Sequence, residues 1–147
     1  MPLPLNLHHL GWVVRSIDAS LDAFNASLEL TNLGIEDYGS LRICFLGAGC
    51  SMIELLEPRD TNAEFTRYLA EHGEGIHHIA FGVADIAAAI NDARSRGVTL
   101  IDEQPRPGAR NSLIAFVDPK TPDGVLIEFV QDHPEMSRLS HPDTPTG

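Results

Sequence analysis

His8-His9-Leu10-Gly11-Trp12-Val13-Val14, close to the start of the chain, returns 69 residues later as His77-His78-Ile79-Ala80-Phe81-Gly82-Val83, with apolar residues standing opposite apolar residues at most positions. Such internal similarity at a fixed spacing means that one structural unit is used twice, and it constrains architecture before any local assignment is made. The correspondence continues, since Ser16-Ile17 matches Asp85-Ile86 and Leu21 matches Ile90. Each half therefore reads as a strand, a capping residue and the first turns of an amphipathic helix.

In the first helix Ile17, Leu21, Phe24 and Leu28 recur at spacings of four, three and four, which lines one helical face, with Ser16 as N-cap. In the second, Ile86, Ile90 and Ala93 form the stripe, Asp85 caps it, and Gly97 after Arg94 and Arg96 stops it. Segments of β character follow each helix: Leu41 to Leu46 and Met52 to Leu56, then Leu113 to Val117 and Val125 to Val130. Gly47-Ala48-Gly49 separates the first pair, and the stretch from Asp118 to Gly124 separates the second, as hairpin-type connections. The closing strands also match, Ile53-Glu54-Leu55 with Ile127-Glu128-Phe129, at a separation of 74. Between the halves, Ala63 to His72 can form a short helix with Phe65, Tyr68 and Leu69 on one side.

These readings predict an α+β fold of two βαβββ modules related by a pseudo-twofold, about residues 6–58 and 76–131, joined by a linker at 59–75 within a single domain over 1–131. Residues 132–147 are polar and Pro-containing without an apolar period, and are expected to form a flexible tail that buries too little surface to offset its ordering entropy.

A pseudo-twofold sets equivalent residues symmetrically about its axis, where the mixed sheets are expected to form a common concave surface. His9 matches His78 and Glu54 matches Glu128, so two imidazoles and two carboxylates are expected to converge on one divalent cation. Cobalt, manganese, nickel, zinc and ferrous iron all accept such ligands. Taken singly, a histidine at a strand start is more often structural, and a glutamate between apolar neighbours often faces solvent. The recurrence of both residue types at equivalent positions is what points to a site. His8 and His77 have the opposite parity along their strands and are expected to be structural, while His72, His133 and His141 are expected to be solvated.

Composition narrows the partners. The chain of 147 residues carries a formal net charge of -11, with only 10 Lys and Arg, which argues against nucleic acid, because phosphate binding depends on clustered cations. Its densest basic loop group is Arg106, Arg110 and Lys120. With 43% hydrophobic and 21% charged residues, and no apolar run near the ~20 residues that span a bilayer, no membrane segment is expected. The first residues lack a secretory pattern, so the cytoplasm is the expected compartment, and Cys44 and Cys50 lack zinc-motif spacing and are expected to be free thiols.

Four blocks, Glu74-Gly75-Ile76-His77-His78-Ile79-Ala80-Phe81, Ile53-Glu54-Leu55-Leu56-Glu57-Pro58, Arg106-Pro107-Gly108-Ala109 and Gly124-Val125-Leu126-Ile127-Glu128, resemble the methylmalonyl-CoA epimerase family of the vicinal oxygen chelate (glyoxalase/bleomycin resistance/dioxygenase) superfamily. The resemblance spans roughly Leu7 to Gln131. It puts His9, Glu54, His78 and Glu128 on the family's metal positions, the second of which is Gln or Glu among relatives. It implies an isomerase acting on a small acyl-CoA: a metal-stabilised enolate and a 1,1-proton transfer that inverts the carbon between a thioester and a carboxylate. Glu128 is the candidate for one proton carrier. Some relatives carry a glutamate as the other, where this chain has Arg42, which is a poor base and a better clamp for a substrate carboxylate or phosphate. Asp118 also stands where epimerases commonly have His. Arg106, Arg110 and Lys120 become candidates for the CoA phosphates, and a homodimer is expected because symmetric dimers are the commonest oligomers. Two alternatives remain open. A glyoxalase I-type lyase of a glutathione hemithioacetal uses a similar ligand set, although glyoxalases usually follow the first ligand with Thr-Met and an Arg, where this chain has Leu10, Gly11, Trp12 and Val13. The other is a metal-free small-molecule binding protein of the same fold.

Overall fold

The structure, a computed structural model, describes residues 4, 6–118, 120 and 125–136, so residues 137–147 of the expected tail, and most of the connection after Asp118, lie outside the described residues. The chain divides into two compact units, one of residues 9–78 and one of residues 1–8 with 79–147.

The unit of residues 9–78 holds most of β1 (Asn6–Val13), then α1 (Ile17–Ser27), β2 (Thr31–Asp37), β3 (Leu41–Ala48), β4 (Ser51–Pro58), α2 (Ala63–His72) and the start of β5 (Gly75–Gly82). Strand β1 runs parallel to β4 with His9 opposite Met52 and Gly11 opposite Glu54, while β3 pairs antiparallel with both β4 and β2. Strand β3 continues through Ala48, which pairs with Ser51, so the turn expected at residues 47–49 is a tight hairpin at Gly49 and Cys50 with Gly49 at φ 64°.

The same pattern is built a second time. The other unit holds the end of β5, α3 (Ile86–Ser95), a short β6 (Arg106–Pro107), β7 (Leu113–Val117) and β8 (Leu126–Gln131), with β7 antiparallel to β8 and to β6. The segment that carries Arg106 and Arg110 contributes a two-residue edge strand and a single 3-10 turn at Ala109–Asn111.

The repeat extends to individual hydrogen bonds. The backbone N–H of Val14 donates to Leu56 O at 2.9 Å, and that of Val83 to Val130 O at 2.8 Å. Ser16 caps α1 by accepting from Ala19 N, and Asp85 caps α3 by accepting from Ala88 N. The first helical N–H, which has no partner inside a helix, reaches the end of a strand in both units: Ile17 N donates to Glu57 Oε2 at 2.7 Å, and Ile86 N to Gln131 Oε1 at 3.0 Å.

The helical stripes pack as their periodicity predicts. Val14, Ile17, Cys44, Leu46 and Leu55 form one core with Trp12, Leu21 and Phe24, and Val83, Ile86, Ala89, Ile90 and Ala115 form the other with Phe129. Burying each large side chain of this kind stabilises by roughly 1.5–3 kcal/mol. Leu28 corrects one expectation: α1 ends at Ser27, and Leu28, in extended backbone at φ -143°, is 53% exposed. Its N–H closes the last turn on Phe24 O at 2.7 Å and the chain leaves toward β2, which turns its side chain off the helical face.

Candidate metal centre

Along β1 and β4 side chains alternate between two faces. Trp12 and Leu55, opposite each other, turn to the core under α1, whereas His9, Gly11 and Glu54 share the other face. Phe45, opposite Glu54 on β3, lies on that face as well and meets the His9 ring edge-on at 5.6 Å. His78, from β5, reaches the same place.

The result is a triangle of donors. His9 Nε2 lies 3.1 Å from Glu54 Oε2 and 3.1 Å from His78 Nε2, and His78 Nε2 lies 3.2 Å from Glu54 Oε2. All three residues are buried, His9 and His78 at 3% exposure and Glu54 at 6%. They are the cluster of potential metal ligands that emerges among the described residues. Burial alone pushes the Glu54 carboxyl up, but the adjacent His9 and His78 imidazoles, through charge and hydrogen bonds, outweigh it and hold the group well below the usual carboxylate range. The Glu54 carboxylate therefore stays ionised.

The donor set fits a cation. Two imidazole nitrogens and a carboxylate oxygen suit first-row divalent ions. Ligands at ~2.0–2.2 Å from a shared centre stand about 3 Å from one another when they occupy one side of it, and the edges of this triangle are 3.1–3.2 Å.

His78 has a second neighbour. Its Nδ1 lies 3.0 Å from Nδ1 of His77, whose ring is held between Phe65 and Tyr68 of α2 at centroid distances of 4.8 and 5.1 Å. The Tyr68 hydroxyl donates to Ile76 O at 2.9 Å and fixes that side of the cage. His77, read from parity alone as structural, thus touches the ring that meets Glu54. The signal available in the sequence was the aromatic pair Phe65 and Tyr68 on the predicted helix. In the other unit, His8 Nε2 is paired with Asp132 Oδ1 at 2.9 Å.

The structure brings together His9, Glu54 and His78. Glu128 is buried on β8 of the other unit, opposite Phe116 as Glu54 is opposite Phe45, and its part in a site rests on that equivalence. Arg42 lies across from Glu57 and contacts both its carboxylate oxygens at 3.3 Å. Arg106 pairs with Asp102 and covers the Phe116 ring, Arg110 contacts Met136 Sδ at 3.4 Å, and Lys120 Nζ donates to Gly97 O at 2.8 Å. No described helix is long and apolar enough to cross a membrane.

Comparison with known proteins gives the same direction. A family model described as the glyoxalase/bleomycin resistance protein/dioxygenase superfamily matches residues 8–116. A mitochondrial methylmalonyl-CoA epimerase of Dictyostelium discoideum is 35% identical over 128 residues, which are 84% of this chain and 76% of that protein. Among solved structures, a hypothetical protein of Bacillus halodurans is 41% identical with a TM-score of 0.82, covering 87% of this chain and 94% of that one. A variant of Streptomyces coelicolor methylmalonyl-CoA epimerase, in complex with 2-nitronate-propionyl-CoA, is 32% identical with a TM-score of 0.81, covering 88% of this chain and 99% of that one. The mixed α+β architecture expected from the repeat is the fold of these structures.

Proposed function

The chain belongs to the glyoxalase/bleomycin resistance protein/dioxygenase superfamily, and from that membership we propose that it is a metal-dependent epimerase of a 2-substituted malonyl-CoA thioester. The observation that carries the reading is the buried triangle of His9, Glu54 and His78, in a chain whose relatives include methylmalonyl-CoA epimerases.

His9, Glu54 and His78 would hold the cation, and Glu128 joins the proposed set as the counterpart of Glu54 in the repeat. When bound, a divalent ion supplies an electrophile for the negative charge that develops on a carbonyl oxygen as the neighbouring carbon loses its proton. The protein's part is to keep the Glu54 carboxylate ionised and all three donors buried away from water. Glu54, held ionised, fits a permanent anionic ligand and is a poor proton carrier at neutral pH. The proton at the α-carbon is therefore assigned to the buried carboxyl of Glu128. Arg42, shared with Glu57, is assigned to the substrate carboxylate, and Arg106, Arg110 and Lys120 to the phosphates of CoA, because guanidinium and ammonium groups match those anions.

The test is solvent exchange. Protein loaded with Co²⁺ or Zn²⁺ and incubated with methylmalonyl-CoA in deuterated water should place deuterium on the α-carbon. No exchange, together with turnover of a glutathione hemithioacetal, would replace the epimerase with a lyase. Activity on neither substrate, with no cation bound, would leave a metal-free binding protein.

A further inference from the structure

Gly11 stands on β1 opposite Glu54, two residues beyond His9 and on the same face. A Cβ at this position would lie 2.0 Å from Cε1 of His78 and 2.4 Å from each of its ring nitrogens. The imidazole thus occupies the space that any side chain at residue 11 would need. The backbone does not call for glycine there, because Gly11 is not among the glycines at positive φ. Nor does the strand position itself, since the repeat places Ala80 at the equivalent site of β5.

We propose that Gly11 is a positioning residue for His78: the missing side chain is the seat on which the imidazole rests with Nε2 turned to Glu54 and His9. The ring is fixed on one side by β1 and at Nδ1 by His77, 3.0 Å away. To reach an ordinary contact of 3.4 Å from an added methyl, it would have to retreat by about 1.4 Å. Metal–ligand distances tolerate only about 0.2 Å. One methyl group at residue 11 is therefore expected to break the donor triangle without removing any donor. The part that concerns the cation rests on the proposed function; the part that concerns the ring does not.

A double-mutant cycle separates the two. Gly11→Ala, His78→Ala and the double variant are melted as metal-free proteins, and Zn²⁺ binding by wild type and Gly11→Ala is measured by calorimetric titration. Gly47→Ala is the control, because a Cβ on this other strand glycine would meet Thr31 at an ordinary 3.6 Å. Gly11→Ala should lower Tm in the wild-type background and leave Tm unchanged in the His78→Ala background. It should weaken Zn²⁺ binding about ten- to a hundredfold, while Gly47→Ala leaves binding unchanged. A Gly11→Ala chain that folds only when His78 is also removed supports the seat equally. Equal loss of Tm in both backgrounds, failure of both to fold, or wild-type Zn²⁺ affinity in Gly11→Ala would overturn it. If the wild type binds no cation, the proposed function falls, and the melting cycle still decides whether Gly11 seats the ring.

Discussion

Glu54 is held ionised although it is almost fully buried, so its role is set by the two imidazoles beside it. Glu54→Gln keeps an oxygen that can face a cation but loses the charge, and is expected to bind Zn²⁺ at least about tenfold more weakly while retaining a site. Glu54→Ala and His78→Ala remove a donor and should lose the ion on dialysis; metal content after dialysis equal to wild type would contradict the assignment. His77 should matter through His78, because partners of metal-binding histidines fix ring orientation. His77→Phe is expected to lower Zn²⁺ affinity about ten- to a hundredfold at a nearly unchanged Tm, with His77→Gln partly restoring it. The two thiols differ sharply: burial pushes the Cys44 thiol up, with Arg42 opposing more weakly, whereas Cys50 is exposed. Iodoacetamide on the folded protein should therefore label Cys50 alone, as mass spectrometry of the intact chain would show. That His9, Glu54 and His78 meet was legible in the sequence because the repeat marked these positions, and their hold on a cation is the proposal made above. Gly11 was not legible, because nothing in a strand pattern says that a ring from another strand will fill the space above a glycine.

At the scale of elements, legibility followed burial. The faces of α1 and α3 and strands β3, β4, β7 and β8 were readable because each sets apolar residues at a helical or strand period toward a core, while α2, none of whose residues is fully buried, was readable from the stripe of Phe65, Tyr68 and Leu69 alone. Strand β2 is counted in the expected βαβββ module, but no segment of sequence located it. It lies at the edge of its sheet, its first five residues are exposed, and its pairing to β3 is irregular between Asn32 and Ile35, so no period-two pattern marks it. What fixes its end is polar. The Asp37 carboxyl accepts from Gly39 N at 2.8 Å and pairs with Arg59, and these bonds, the backbone one first, hold it below the usual carboxylate range. A carboxyl with a lowered folded pKa adds stability that is present above its unfolded pKa of about 3.9 and is lost as pH falls through the folded value. Asp37→Asn should therefore reduce Tm at neutral pH and leave a shallower decline on acidification; parallel acid limbs for the two proteins would contradict this. Beneath α3 the repeat differs from its counterpart in volume. Trp12 and Phe24 meet edge-on at 5.7 Å under α1, whereas Phe81 and Ala93 occupy the equivalent places beside a cavity of about 490 Å³. Ala93→Leu is expected to raise Tm by adding apolar contact there, and a lower Tm would mean that the space cannot admit the larger side chain.

At the scale of the whole chain, duplication was the most legible feature, and it was readable because it needs only that equivalent residues do equivalent work. The two strand-to-helix junctions show how far that holds. Each first helical N–H is met by the residue that follows the strand's apolar run, yet one unit uses Glu57 and the other Gln131. Geometry has been kept while electrical character has diverged. A carboxylate at the positive end of a helix gains from the helix dipole and is sensitive to dissolved ions, whereas a neutral amide is not. Raising the salt concentration should thus accelerate amide exchange at Ile17 and leave Ile86 almost untouched, giving the two halves of one repeated pattern different responses to the same solution.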